Sequence, residues 1–362
     1  VIRTTSDLSL AVRQGYDAII DVRSPGEFAE DHIPGAINLP VLDDAQRAEV
    51  GTMFVQRSKF LARRIGAAYV AHNIAGHLQA ALGDRDGNFR PLVYCWRGGQ
   101  RSAAMVTVME QVGWPVTRLE GGYQTWRRKV VADLYGQDGP DTALKLVLLD
   151  GYTGSGKTGI LRRLPQEGVQ TIDLEALADH RGSLFGATPV AQPGQKRFES
   201  RIVEALDCLD RTRPIVVEAE SSRIGNLTLP PVLWAAMKVA PRIEVTVPIE
   251  ARVALVLNDY RAIGADVEAL EAALRRLPRH HSRETVAAWI TAAREGRLAE
   301  LVADLMLQHY DPAYRRGANA RRPALATVAL NGTSERDLSD GATDVARAVA
   351  PGPDPAQGPF QA

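Results

Sequence analysis

The chain has 362 residues, 45% of them hydrophobic and 24% charged, with 43 basic and 43 acidic side chains. That balance excludes a wholly disordered chain and favours two or three globular domains. The charge is even on both sides of residue 140, with 16 basic against 15 acidic residues up to it and 27 against 28 after it; any site for a polyanion must therefore be local.

No apolar run approaches the length of a membrane-spanning helix, and the first residues, VIRTTSDLSLAV, lack the basic and long apolar parts of a signal peptide. No membrane partner is expected. The two cysteines, Cys95 and Cys208, stand 113 residues apart and cannot make a disulfide framework, so a reducing, cytoplasmic location is expected.

In chain order, 17–22 (DAIIDV) reads as a short buried strand. Asp21 is expected to brace its end, Arg23 to pair with a nearby acid, and His32, in a turn, to fix its loop. A second strand, 91–95 (PLVYC), runs into a Gly-rich turn and then a helical pattern, SAAMVTVMEQVGW. Strands alternating with helices indicate an α/β parallel sheet. The polar stretch 136–143 (GQDGPDTA) reads as a linker. KLVLLD then enters the loop GYTGSGKT and a helix, GILRRL, which starts a second α/β domain. Further strands are expected at 169–173, 214–218 and 242–247, and mostly helix from 250 to 310. The organisation expected is a first domain over 1–135, a linker over 136–143, a second domain with a helical region over 144–345, and a disordered tail over 346–362.

Cys95 ends a strand, and Arg97, Gly98, Gly99, Gln100 and Arg101 form the turn before a helix that opens at Ser102. Glycines let successive amides curl around an anion, and the helix N-terminus adds partial positive charge. Both favour a reactive thiolate, whereas a cysteine that only packs needs neither two glycines nor two arginines. Cys208, on a helical pattern, is expected to pack.

Residues 151–158 match G-x-x-x-x-G-K-[ST] between a strand and a helix. Gly151, Thr153, Gly154, Ser155 and Gly156 are expected to wrap a polyphosphate, with Lys157 reaching its outer oxygens and Thr158 placed for Mg²⁺. Glu218 and Glu220, after a buried strand, and Asp173 are candidates for a metal or base role. Two arginine clusters are candidates for RNA phosphates: Arg275, Arg276, Arg279 and Arg283, and Arg315 and Arg316, with Arg223 beside the glutamates. His280 and His281 lack partners at metal spacing, which argues against zinc.

The segments DVRSPGEFAEDHIPGAINLP (21–40) and LEGGYQTWR (119–127) resemble the signatures of rhodanese domains. The resemblance implies a doubly wound α/β domain whose cysteine, in the sulfurtransferases, carries a persulfide. The C-x5-R loop is one residue longer than in common sulfurtransferases and resembles that of rhodanese-like phosphatases. A rhodanese-like domain followed by a P-loop NTPase-like domain, together with DHRGSLFG (179–186), the run from Glu218 to Gly225 and HYDPAY (309–314), resembles the tRNA 2-selenouridine synthase family.

That resemblance implies a transferase acting on the wobble 2-thiouridine of tRNAs for Lys, Glu and Gln. Its implied substrates are geranyl diphosphate, which forms an S-geranyl intermediate, and selenophosphate. Cys95 would carry selenium, Arg97, Arg101 and the loop amides would bind selenophosphate, and the P-loop would bind diphosphate. Whether a nucleotide also binds stays open, with Mg²⁺ a candidate ion. Two alternatives stand beside it: a C-x5-R phosphatase fused to a P-loop kinase, and a nucleotide-gated binding module.

Overall fold

A computed structural model describes residues 2–136, 144–182, 190–259, 266–277, 281–316 and 322–350. The chain forms two compact units, Val1–Gly136 with Pro193–Leu209, and Gln137–Gln192 with Asp210–Ala362.

The first unit is built on five parallel strands, β1 (Arg3–Thr5), β2 (Ala18–Asp21), β3 (Ala36–Asn38), β4 (Pro91–Tyr94) and β5 (Thr117–Leu119), in the order β1-β5-β4-β2-β3. All four pairings are parallel, with Ile20 opposite Val93 in the centre. Strands β2 and β4 are buried along nearly their whole length, as their unbroken apolar runs require of a sheet covered on both faces. The helices are α1 (Leu10–Gln14), α2 (Pro25–Glu30), α3 (Asp44–Gln56), α4 (Lys59–Gln79), α5 (Gln100–Val112) and α6 (Tyr123–Tyr135). Asp43 caps α3 in a box with Gln46, and Ser58 caps α4.

One element departs from the expected organisation. Helix α9 (Gln195–Asp207) lies within the stretch assigned to the second domain, yet it packs in the first unit. Its buried face carries Phe198, Ile202, Val203 and Leu206 at helical spacing. Its polar residues are held as firmly. Ser200 accepts from the Trp126 indole at 2.9 Å and donates to Asp31 at 2.8 Å. Arg13 pairs with Glu204 at 2.5 Å and Asp207 at 3.0 Å, and Glu199 takes both Arg127 and the Tyr135 hydroxyl. Cys208 follows the end of this helix and is exposed, not packed, because Val203 and Leu206 already fill the contact face.

The second unit has a parallel sheet of β6 (Leu146–Asp150), β7 (Gln170–Ile172), β8 (Ile215–Glu218), β11 (Arg242–Thr246) and β12 (Ala326–Ala329), ordered β12-β11-β6-β8-β7. A small hairpin, β9 (Arg223–Ile224) and β10 (Leu227–Thr228), stands apart. Helices α7 (Lys157–Leu161), α8 (Leu174–Leu177), α10 (Pro231–Val239) and α11 (Ile249–Asp259) belong to this unit. The expected helical region appears as α11 followed by Val267–Arg275, Arg283–Arg294 and Leu298–Leu305, with Trp289 buried among their leucines.

Part of the tail expected over 346–362 is helix instead. Helix Glu335–Val349 runs through 346–349, with Leu338, Ala342 and Val345 buried on the sheet and Val349 packed against the same core. Residues 351–362 lie outside the described residues, as do 137–143 of the expected linker. Among the described residues no helix is long and apolar enough to cross a membrane.

Candidate functional site

In a parallel sheet the carboxyl ends of all strands lie on one edge, and ligands bind where neighbouring connections diverge from it. Both motifs sit at such an edge, one in each unit.

Cys95 follows β4 and is 3% exposed. Its carbonyl accepts from Tyr123 N at 2.8 Å, and the Trp96 carbonyl accepts from Gln124 N at 3.2 Å, so the loop is strapped to the first turn of α6. Gly122 makes this possible. Its φ is +58°, and a Cβ there would overlap the Cys95 carbonyl. The LEGGYQTWR signature is thus the back wall of the cysteine loop. The Ser102 hydroxyl, on the first turn of α5, lies 3.2 Å from the Cys95 sulfur and also reaches the Gly99 carbonyl at 3.3 Å.

The two loop arginines stand differently. Arg97 is exposed, as are Gly99 and Gln100, with Gly98 half-buried between them. Arg101 is held in a two-pronged pair by Glu27 of α2, at 2.6 and 3.3 Å. Burial works against the Glu27 carboxylate, but Arg101 and Arg47 outweigh it and hold its pKa below the ordinary value. Arg101 therefore braces the loop to α2.

Behind the loop lies a structural cluster. Arg23 is buried, pairs with Asp21 at 2.6 Å, donates to the Asp31 carbonyl at 2.7 Å and lies 4.1 Å from the centre of the Tyr123 ring. Asp21 and Arg23 thus brace the sheet end together. His32 stacks on Phe28 with centroids 3.7 Å apart and its Nδ1 is 2.8 Å from the Phe28 carbonyl, so it fixes its loop.

At the second site the turn Gly151–Gly156 leaves β6 and enters α7. Gly154 has φ +79°, and a Cβ there would lie 2.9 Å from the Arg252 carbonyl of α11. Arg252 itself donates to the Thr153 carbonyl at 2.9 Å and pairs with Asp311 at 3.0 and 2.6 Å. The Lys157 ammonium lies on the loop, 2.8 Å from the Gly151 carbonyl and 3.1 Å from that of Tyr152.

Strand β8 is the immediate neighbour of β6, with Glu218 opposite Leu149, which places Glu218 at the edge of the phosphate loop. Glu218, Glu220 and Glu175 bring carboxylate oxygens within 4.8 Å of one another. Burial raises all three pKa values, most for Glu175, where Glu218 and Glu220 add to it; Lys157 opposes the rise throughout, and the Thr158 hydroxyl opposes it at Glu218. One Glu218 oxygen and the Ser155 hydroxyl are buried with no hydrogen-bond partner among the described residues. An all-oxygen donor set with an unpaired oxygen fits a hard cation such as Mg²⁺, with Thr158 beside it.

Asp173 is not in this group. It caps α8 by accepting from Ala176 N at 2.8 Å and pairs with Arg162 at 3.0 Å. Glu175, two residues on, takes the place expected of it. The sequence reading missed Glu175; the two acids stand in the same segment, TIDLEAL, and the capping geometry separates them.

The arginine candidates stand on several different elements. Arg315 donates to the Tyr152 hydroxyl at 3.1 Å, beside the phosphate loop. Arg275 pairs with Glu271 at 3.0 Å. Arg223, Arg276, Arg283 and Arg316 are exposed. Arg279 and His280 lie outside the described residues, and His281 meets His309 at 3.0 Å.

Residues 4–129 match the family described as rhodanese-like domain, and residues 144–272 the family described as tRNA 2-selenouridine synthase AAA domain. The chain is 34% identical over 306 residues to a tRNA 2-selenouridine synthase of Cupriavidus necator, covering 80% of each chain. A relative of the same description from Chromohalobacter salexigens is 32% identical over 325 residues, covering 82% of this chain and 87% of that one. One from Aeromonas salmonicida is 34% identical over 331 residues, covering 89% and 82%.

Proposed function

The chain belongs to the tRNA 2-selenouridine synthase family, and we propose that it replaces the sulfur of wobble 2-thiouridine, in tRNAs for Lys, Glu and Gln, by selenium in two steps at its two sites. The observation that carries this reading is one chain holding both a phosphate loop beside a carboxylate trio and a wide cysteine loop backed by the Gly122 segment.

In the first step the thiouridine sulfur attacks C1 of geranyl diphosphate. The C–S bond forms, the C–O bond breaks, diphosphate leaves with the electron pair, and the uridine N3 loses its proton. The loop amides over 151–158 and Lys157 take up the charge developing on the leaving diphosphate. Glu175, Glu218, Glu220 and Thr158 would hold a divalent cation, which when bound adds positive charge at the same oxygens.

In the second step the alkylated sulfur can leave as geranyl thiol, which the bare thiocarbonyl sulfur cannot do. Selenium in selenophosphate is already at the selenide level. Transfer to C2 therefore needs no oxidant: the C–Se bond forms, the C–S bond breaks, and water splits the P–Se bond to leave phosphate. Cys95, at the base of the loop, would hold the donor against C2 without forming a bond to selenium, with the loop amides and exposed Arg97 facing the donor's oxyanion and Arg101 holding the loop in shape. Arg223, Arg276, Arg283 and Arg316 remain candidates for tRNA phosphates.

The C-x5-R loop, with Ser102 at the Cys95 sulfur, favours one competing reading, a phosphatase. Nucleoside mass spectrometry of tRNA after incubation with geranyl diphosphate and selenophosphate separates the two. The synthase yields 2-selenouridine. Unchanged tRNA with hydrolysis of an aryl phosphate, lost in Cys95→Ser, would favour the phosphatase.

A further inference from the structure

Residues 50–83 contain no aspartate or glutamate. This span covers the end of α3, the corner to α4, and all of α4. Arg57, Lys59, Arg63 and Arg64 are exposed along it, and none of the four is in an ion pair among the described residues. Other arginines of the unit are neutralised: Arg101 by Glu27, Arg13 by Glu204 and Asp207.

Apolar groups stand among these cations. Phe60 is 75% exposed, Val55 82% and Phe54 41%. Phe60, Arg63 and Arg64 are three and four residues apart and share one face of α4. The Phe54 ring lies 5.8 Å from the Lys59 ammonium across the corner. Two rings in water beside four unpaired cations match the chemistry of a single-stranded nucleic acid, whose bases stack on aromatic faces and whose phosphates meet Lys and Arg.

The position fits as well. Near the start of α3, Arg47 pairs with Glu27 at 2.9 Å, and Glu27 holds Arg101 of the cysteine loop. Phe54 is seven residues further on, roughly 10 Å along the helix axis. The corner is thus about two helical turns from the residues that brace the Cys95 loop.

We propose that the α3–α4 corner is a docking surface for the unpaired loop of the RNA substrate. Phe54 and Phe60 stack on its bases, and Arg57, Lys59, Arg63 and Arg64 contact its phosphates. The proposal rests on tRNA being the substrate.

The test is fluorescence anisotropy of the full-length protein with a labelled anticodon stem-loop carrying wobble 2-thiouridine, over a salt series. Arg63→Glu with Arg64→Glu is expected to weaken binding at least tenfold and to lower the log–log salt slope by about two. Phe60→Ala is expected to weaken binding about fivefold or more with the slope unchanged. If the charge-reversed protein does not fold, Arg57→Gln with Lys59→Gln reads the same slope change. Wild-type affinity in these variants overturns the proposal. So does a shift from dimer to monomer, which would make the corner an interface between two copies, or a loss of binding to anionic vesicles with RNA affinity intact. If the wild-type protein neither binds nor modifies tRNA, the proposed function fails with it; if it does both and the variants match it, the docking surface alone is wrong.

Discussion

Ser102 puts a hydroxyl 3.2 Å from the Cys95 sulfur and braces it on the Gly99 carbonyl. That contact fixes the position of the sulfur in the proposed second step. Ser102→Ala is therefore expected to slow selenium transfer about fivefold, the scale of one hydrogen bond, and to leave geranylation unchanged; equal slowing of both steps would contradict this. His32 carries a pH prediction. Burial is the chief reason its pKa falls from 6.5 to about 4 in the folded protein. Between those values the unfolded chain binds more protons, so the contribution of neutral His32 is complete above pH 6.5 and declines as the pH falls towards 4. Thermal melts of His32→Phe should lose less stability between pH 7 and 4.5 than wild type, and parallel profiles would refute the assignment. At this scale the placement of residues was legible where a motif fixed their spacing: Cys95 follows its strand and Lys157 opens its helix. Asp173 was named where Glu175 stands, because a helix cap and a site ligand look alike in TIDLEAL.

Arg252 and Asp311 form a buried strut beneath the phosphate loop, each 4% exposed. The strut ties α11 and the segment HYDPAY to the Thr153 carbonyl. Asp311→Ala leaves Arg252 buried without its partner and should cost about 3–5 kcal/mol in denaturant unfolding; a loss under 1 kcal/mol would show that the pair bears no structural load. The buried strands β2, β4, β6, β8 and β11 were readable from their apolar runs, and the short β7 from the segment VQTID. Strands β1, β3, β5 and β12 were not, since they carry no unbroken apolar run and are held by their neighbours. Helices α3 and α4 left a weak pattern for a related reason: much of their surface faces water, and only Met53, Ala62, Gly66 and Ile74 are buried.

The chain as a whole is neutral, yet its charge is distributed unevenly: an acid-free span of 34 residues follows Glu49 in the first unit, and three carboxylates crowd together in the second. Whole-chain charge hid both. The order of domains was legible from the two loops, but the return of α9 to the first unit was not, because its partners Trp126, Arg127 and Asp31 are far away in sequence. The chain therefore passes between the units three times, at 136–137, 192–193 and 209–210. The two sites are proposed to work in sequence on one RNA, and this is tested by supplying each intermediate separately. Lys157→Ala and Cys95→Ser proteins are given tRNA with wobble 2-thiouridine and geranyl diphosphate, or pre-geranylated tRNA and selenophosphate, and the nucleosides are weighed. The division of labour predicts that Lys157→Ala fails only at geranylation and Cys95→Ser only at selenium transfer; loss of both products in either variant would contradict it.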